Sequence, residues 1–266
     1  MTSGSDSAQR RAAVITGGGT GVGAATALAL AGRGYSVAIG YSRSASDAED
    51  VVAQCKAQGA DAIAVKGDVA DDAACRAIVE TAVTRFGRVD ALVNSAGTTQ
   101  FVPLSDLEGQ SAADFQKIYA VNVIGPYQMA RAAAPHMRRG GAGAIVNVSS
   151  VGSLNGNGSS YSYVTSKAAL NTLTLALARN LAPEIRVNAV LPGLIETRWL
   201  KVGLGDEAYR RVRDGWADAA ALGKTCTADD VAQTIVWLLA DAALVTGQLL
   251  TVDGGFLLGR PTRVAR

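Results

Sequence analysis

Residues 12–30 constrain the fold more than any other stretch of the chain. A short apolar run, 12–15, leads into a turn with five glycines over 16–23 and then into an Ala- and Leu-rich segment over 24–30. This order predicts a strand, a tight turn and a helix. Glycines let the backbone turn sharply and approach a ligand, and the free N–H groups at a helix start attract phosphate. The stretch therefore predicts a dinucleotide site.

The rest of the chain continues this alternation. Further apolar, strand-like runs occupy 37–40, 62–65, 90–93, 144–148, 185–190 and 249–252. Helical patterns cover 45–58, 72–86, 111–139, 161–181 and 227–239. We predict one α/β domain over 11–258, a Rossmann-type doubly wound parallel sheet of about seven strands with helices on both faces. The polar N-terminal segment 1–10 and the basic C-terminal segment 259–266 are predicted to be tails.

Composition excludes several classes of function. The net charge is +2 and arginines are scattered, so no basic stripe points to a nucleic-acid partner. Cys55, Cys75 and Cys226 lie far apart and His136 is the only histidine, so neither a disulfide framework, a metal site nor a paired-histidine mechanism is predicted. No apolar run reaches the roughly 18 residues of a membrane span. We expect a cytoplasmic protein without metal or membrane partners.

A phenol and an ammonium lie one helical turn apart at Tyr163 and Lys167. The neighbouring Tyr161 has Thr165 at the corresponding position, so the two tyrosines are not equivalent. An ammonium beside a phenol favours the phenolate, and we expect Lys167 to lower the pKa of Tyr163. Taken alone, this pair also fits an ordinary solvated helix face.

Several other stretches of the chain match motifs of a known family and occur in the same order as in that family, which favours a functional role for Tyr163 and Lys167. They are the Thr-Gly-x-x-x-Gly-x-Gly turn at 16–23, Asn94-Ser95-Ala96-Gly97, Ser150 thirteen residues before Tyr163, Pro192-Gly193, and Asp253-Gly254-Gly255. With these motifs the chain resembles the short-chain dehydrogenase/reductase family, and most of all its 3-oxoacyl-carrier-protein reductases. Ser95 departs from the family pattern, which has a second asparagine there.

The resemblance implies four catalytic residues. Tyr163 would exchange a proton with the substrate oxygen, Ser150 would donate a hydrogen bond to that oxygen, and Lys167 would assist Tyr163. Asn122 would hold a water in the proton path, although a satisfied core amide remains the alternative. No histidine or acidic residue lies near Ser150 in the sequence, so a hydrolase triad is not predicted.

The resemblance also implies a cofactor site made from the ends of successive strands. Its residues would be Gly17, Thr20, Gly21, Val22, Gly23, Tyr41, Ser42, Arg43, Asp68, Val69, Asn94, Ala96, Gly97, Tyr163, Lys167, Pro192, Gly193, Ile195 and Thr197. In this set Asp68 and Val69 would contact the adenine ring, whereas Ile195 and Thr197 would hold the nicotinamide carboxamide.

The end of the second strand indicates which cofactor is preferred. An NAD-preferring enzyme usually carries an acidic residue there, and this chain has Tyr41 followed by Ser42 and Arg43. Those side chains could hold a 2′-phosphate through charge-assisted bonds. We predict NADP(H) as the preferred cofactor, with NAD(H) as an open alternative in which Arg43 points into solvent.

The predicted substrate is a small-molecule carbonyl or alcohol, with an acyl-carrier-linked group as one option. Carrier-dependent reductases tend to place basic residues near the end of the active-site helix, where this chain has Pro183-Glu184. The resemblance implies a substrate lid over about 198–223 and a homotetramer. Two alternatives remain: a non-catalytic nucleotide-sensing or assembly subunit, and an NAD-dependent alcohol or sugar dehydrogenase.

Overall fold

A computed structural model of the chain describes residues 10–196, 201 and 203–260. Seven parallel strands form one sheet in the order β3-β2-β1-β4-β5-β6-β7. The strands are β1 Ala12–Thr16, β2 Ser36–Tyr41, β3 Ala62–Lys66, β4 Ala91–Asn94, β5 Gly143–Val148, β6 Ile185–Pro192 and β7 Leu249–Val252. The predicted fold class, a single α/β domain with a seven-stranded parallel sheet, is confirmed.

Nine α-helices are seen in the described part of the chain. They are α1 Gly21–Gly32, α2 Ala45–Ala57, α3 Asp72–Phe86, α4 Ala112–Tyr119, α5 Gly125–Arg139, α6 Gly152–Asn155, α7 Tyr161–Leu181, α8 Asp206–Ala219 and α9 Ala228–Ala240. One core packs beneath α1, α2 and α9, and a second core packs beneath α3, α5 and α7 on the other face of the sheet. Because both faces are covered, all five residues of β1 are buried.

Local signals explain where the helices begin and end. Asp71 caps the start of α3 by accepting hydrogen bonds from the Ala73 and Ala74 N–H groups at 2.7 and 3.3 Å. Gly87 ends the same helix in the left-handed conformation, with φ of 77°. Thr227 and Asp230 form a reciprocal capping box at the start of α9.

Three segments differ from the helices predicted from the sequence. The long helix expected over 111–139 consists of α4, a π-helical segment over Ala120–Ile124, and α5. The short helix α6 and the lid helix α8 were not predicted. No helix in the described residues is long and apolar enough to cross a membrane.

Candidate active site

The predicted site residues converge at the carboxyl edge of the sheet. The glycine turn follows β1, Asn94 ends β4, Ser150 follows β5, and Gly193 follows β6. These strands are adjacent and parallel, so their ends open onto one crevice. Tyr163 and Lys167 enter the crevice from the first turns of α7.

The glycine turn has no room for side chains. Gly17 and Gly21 have φ of 64° and 54°, which L residues rarely adopt. A Cβ on Gly23 would lie 2.3 Å from the Gly17 carbonyl oxygen, and a Cβ on Gly17 would lie 2.8 Å from Ala96 Cα. Thr20 precedes α1 without a capping side-chain bond, and the first turn has no acidic residue. The N–H groups there are free for a phosphate, which fits a dinucleotide.

The end of β2 has polar side chains that form no hydrogen bonds with other described residues. Ser42, Arg43 and Ser44 are exposed, and their side chains bond no other described residue. They stand immediately before α2, whose helix dipole favours an anion. Asp47 in the first turn of α2 works against that preference.

Asp68 and Val69 lie in the turn after β3, at the carboxyl edge of the sheet. Asp68 is exposed, and its Oδ1 accepts the Ala70 N–H at 3.0 Å. Val69 is buried, and its carbonyl accepts a bond from Gln128 Nε2 at 2.8 Å. Part of the Asp68 carboxylate therefore serves the turn itself, and no bond from its Oδ2 to a described residue is seen.

Two buried asparagines connect the strands beneath the crevice. Asn94 Nδ2 donates to Asn147 Oδ1 at 2.8 Å, joining β4 to β5, and Asn147 Nδ2 donates to Thr174 Oγ1 of α7 at 2.9 Å. This chain of amides fixes α7 relative to the sheet.

Asn122 lies in the π-helical segment and is fully buried. Its Oδ1 accepts the Thr98 N–H at 2.8 Å, and its Nδ2 donates to the Thr98 carbonyl and to Ser166 Oγ, both at 3.0 Å. Both amide hydrogens are thus in use, so only Oδ1 or a main-chain carbonyl could hold the water expected in a proton path.

The two serines after β5 point in different directions. Ser149 Oγ donates to the Lys167 carbonyl at 3.1 Å, whereas the Ser150 hydroxyl is hydrogen-bonded to Tyr163. The two tyrosines differ as well, because the Tyr161 hydroxyl donates to the Leu104 carbonyl at 2.8 Å and is exposed. Ser150 and Tyr163 are therefore the pair that faces the crevice.

Lys167 is almost completely buried beside Tyr163. Its Nζ donates to the Val148 carbonyl at 2.8 Å and lies 5.7 Å from the centre of the Tyr163 ring. A Cβ on Gly97 would lie 3.7 Å from both Lys167 Nζ and Asn122 Oδ1, so these groups surround one point.

The expected direction of the Tyr163 pKa shift is wrong. Burial raises the pKa of Tyr163, and the hydrogen bond from Ser150 only partly opposes this. Burial also lowers the pKa of Lys167 to about 8. Helical spacing brings the ammonium to the ring, but its hydrogen bond goes to Val148, and desolvation of the phenolate dominates.

The far wall of the crevice comes from the Pro192 loop and the lid. The Gly193 N–H donates to the Val252 carbonyl at 2.9 Å, and Ile195 forms a β-bridge with Cys226. Thr197 lies outside the described residues.

Helix α8 lies in the segment predicted to be a substrate lid and has no buried residue. It is held by Trp216, which stacks on Phe256 with ring centres 3.7 Å apart. Gly203 lies so close to Phe101 that a Cβ there would overlap the ring.

Sequence reasoning missed the residues that support the site from behind. Gly152, Ser153 and Asn171 form hydrogen bonds around Ser150, and Gln110 bonds Ser162 at the start of α7 through both ends of its amide. None belongs to a motif, and the contacts join residues up to 52 positions apart. No group of metal-binding side chains is found among the described residues.

Comparisons with known proteins identify relatives over nearly the whole chain. The family described as enoyl-(acyl carrier protein) reductase matches residues 17–257. An L-rhamnose 1-dehydrogenase (NAD(P)(+)) of Sphingomonas sp. is 39% identical over 248 residues, covering 92% of this chain and 95% of that protein. The 3-oxoacyl-[acyl-carrier-protein] reductase FabG of Staphylococcus aureus is 36% identical over 250 residues, covering 93% and 98%.

A solved structure shows the same fold at similar sequence identity. It is the crystal structure of a protein from Burkholderia xenovorans assigned to the short-chain dehydrogenases/reductases, with 40% identity and a TM-score of 0.88. The match covers 95% of this chain and 100% of that one.

Proposed function

The chain belongs to the short-chain dehydrogenase/reductase family, and from this we propose that it is an NADP(H)-dependent enzyme interconverting a carbonyl and a secondary alcohol. One observation carries the proposal. Ser150, Tyr163 and Lys167 meet beside the glycine turn, with Ser150 hydrogen-bonded to Tyr163 and Lys167 buried against the ring. A nicotinamide dinucleotide, when bound, supplies or accepts the hydride.

The residues of the chain handle the substrate oxygen and its proton. In reduction, Tyr163 gives its phenolic proton to the oxygen, and a raised pKa keeps that proton in place at neutral pH. When the substrate is bound, the single Ser150 hydrogen would turn from Tyr163 to the substrate oxygen, where negative charge develops. In alcohol oxidation the phenolate accepts the proton, so the rate rises with pH.

Lys167 supplies positive charge beneath the phenol. With a pKa of about 8, most Lys167 side chains are protonated at pH 7. The ammonium would stabilise the phenolate that remains after proton transfer. Lys167 Nζ also lies close to Gly97, where its other N–H donors could reach the cofactor ribose.

A matched pair of tyrosine variants tests this assignment. Tyr163→Phe should bind NADPH like the wild type and lose at least about 100-fold in turnover. Tyr161→Phe removes a phenol from the same helix turn, where it bonds only the Leu104 carbonyl, and should be mild. Equal effects of the two changes would contradict the assignment.

The NADP preference is supported by Ser42, Arg43 and Ser44, which are exposed and unbonded at the end of β2. A guanidinium and two hydroxyls suit a 2′-phosphate, whereas Tyr41 has no carboxylate for a 2′-hydroxyl. Arg43→Ala should raise KM for NADPH about tenfold and leave KM for NADH unchanged, with exposed Arg179→Ala as control. A wild type that works better with NADH would refute the preference.

Glu184, which follows the end of α7, bears on the class of substrate. Arg138 Nε lies 4.0 Å from Glu184 Oε2, so Glu184 offsets positive charge where an acidic carrier would need it. We therefore place small soluble carbonyls and alcohols ahead of carrier-linked ones. The rhamnose dehydrogenase relative favours a sugar as the second candidate. A panel of β-ketoacyl thioesters, aldoses and cyclic alcohols, each with both cofactors, would decide between these classes.

A homotetramer is part of the same proposal. Large apolar side chains are exposed on two separate surfaces, one with Tyr127 and Leu175 on α5 and α7, the other with Trp237 and Leu250 on α9 and the edge strand β7. Two self-complementary surfaces on one subunit give a tetramer of twofold symmetry. Light scattering coupled to gel filtration should give four subunits, and a monomer would refute this.

A further inference from the structure

A short turn after β5 presents Ser150 to Tyr163. Besides the main-chain bond from the Ser153 N–H to the Ser150 carbonyl at 3.1 Å, three hydrogen bonds that involve side chains fix this turn. The Gly152 N–H donates to Ser150 Oγ at 3.1 Å, and Ser153 Oγ donates to the Ser150 carbonyl at 2.5 Å. Asn171 Nδ2, from α7, donates to Ser153 Oγ at 2.8 Å.

The donor and the acceptor of each hydrogen bond in this network can be assigned. The Ser153 hydroxyl has one hydrogen, which goes to the Ser150 carbonyl, so Ser153 must accept from Asn171. Ser150 Oγ accepts from Gly152, which leaves its own hydrogen for Tyr163. The side chain that supports the turn therefore comes from the helix that carries the phenol.

Asn171 is an unfavourable residue for stability at its position. It is 6% exposed, and its Oδ1 is buried without a hydrogen-bond partner in the described structure. Such an oxygen costs about 1–3 kcal/mol, and an apolar side chain of the same size would avoid that cost. Asn171 lies one turn beyond Lys167 and two beyond Tyr163 on the same helix face. The stability of the fold therefore does not explain the amide of Asn171. Its hydrogen bond to Ser153 does.

We propose that Asn171 and Ser153 are positioning residues that hold the Ser150 hydroxyl toward Tyr163. Neither side chain bonds Tyr163, and both act through the turn that carries Ser150. The inference rests on the proposed function, because it assigns these residues a part in the proton transfer.

Kinetics of two variants test the positioning role. Asn171→Leu and Ser153→Ala should each lower kcat about tenfold and leave the Kd for NADPH unchanged. The pH profile of alcohol oxidation should move to higher pH, because the phenolate loses a donor when Ser150 is no longer aligned. Ser153→Thr keeps the hydroxyl and should restore the wild-type profile. Asn180→Ala is the control, since Asn180 is exposed on the same helix and bonds only the Ala176 carbonyl.

The outcomes separate positioning from a structural role. A loss of thermal stability with a wild-type pH profile and kcat in both variants would overturn the inference. If Asn171→Leu does not fold, Ser153→Ala carries the test alone.

A readout without turnover separates this inference from the proposed function. If the wild type is inactive with the whole panel, the proposed function fails. Crystal structures of the same two variants then decide the inference. A Ser150 hydroxyl turned away from Tyr163 supports it, and an unchanged Ser150–Tyr163 hydrogen bond refutes it.

Discussion

Replacing Lys167 by methionine should change how stability depends on pH. Burial lowers the pKa of Lys167 in the folded protein to about 8, whereas a solvent-exposed lysine has a pKa of 10.5. Between these values the unfolded chain binds more protons, so the contribution of Lys167 to the free energy of unfolding rises with pH. The difference of about 2.5 pKa units corresponds to roughly 3 kcal/mol. That contribution is complete above pH 10.5 and is lost as the pH falls to 8.

At pH 7 the wild type buries a charged ammonium, which lowers its free energy of unfolding by roughly 3 kcal/mol. Lys167→Met has no charge at this position and does not bear this cost. The variant also leaves the Val148 carbonyl without its donor, which costs about 1–3 kcal/mol. We therefore expect Lys167→Met to be as stable as the wild type at pH 7, or up to about 2 kcal/mol more stable. Near pH 10 the order reverses, because the wild type recovers roughly 3 kcal/mol and the methionine variant does not. Turnover should fall about 100-fold or more at every pH.

Urea unfolding followed by circular dichroism at pH 7, 8, 9 and 10 measures this difference. Wild type and variant are compared at equal subunit concentration, because assembly contributes to the apparent stability. Lys56→Met is the control, since Lys56 is exposed on α2. A difference between wild type and Lys167→Met that stays constant from pH 7 to pH 10 would refute the buried, weakly basic ammonium.

Three further changes test other parts of the structure. Gly23→Ala should abolish NADPH binding, measured by fluorescence titration, because its Cβ would lie 2.3 Å from the Gly17 oxygen. Gly215→Ala is the control and should bind NADPH normally, because a Cβ on Gly215 would have no other atom within 4 Å. Trp216→Ala should raise KM for the substrate and leave Kd for NADPH unchanged, since it removes the stack on Phe256 that holds the lid; equal losses in both constants would argue against a lid role. Asp90→Ala should lower the free energy of unfolding by about 3 kcal/mol in urea titrations, because Asp90 is buried and binds both Arg88 and the Ala12 N–H.

The sequence was sufficient for the sheet and for the position of the site. Parallel strands that are covered on both faces are continuous apolar runs in the sequence. The strand β1 and the glycine turn after it can therefore be identified from the sequence alone. Helix α8 was missed because none of its residues is buried and seven of its fourteen residues are charged, so it has no apolar run that stands out in the sequence. The helix predicted over 111–139 is interrupted at Ala120–Ile124, in the π-helical segment that contains Asn122.

The sequence was insufficient for the electrostatics of the site. The spacing of Tyr163 and Lys167 correctly brings the two side chains together, but it contains no information about burial, which sets the direction of both pKa shifts. The bond from Asn171 to Ser153 depends on how α7 packs against the turn after β5. Such contacts arise only when the elements are assembled in three dimensions.

The attachment of α8 divides the crevice into two parts of unequal local stability. Ser150 and Tyr163 lie on elements whose opening requires breaking the central sheet and its cores, so their amide hydrogens should exchange only slowly with solvent. Helix α8 has no buried residue and is attached through Trp216, which stacks on Phe256 and packs against Val151 and Leu191, and through surface ion pairs such as Arg260 with Asp218, so it should open and exchange far more often. If the proposed function holds, substitutions in α8 would reshape the substrate pocket without disturbing Ser150 and Tyr163. A new substrate range would then cost this protein little of its global stability.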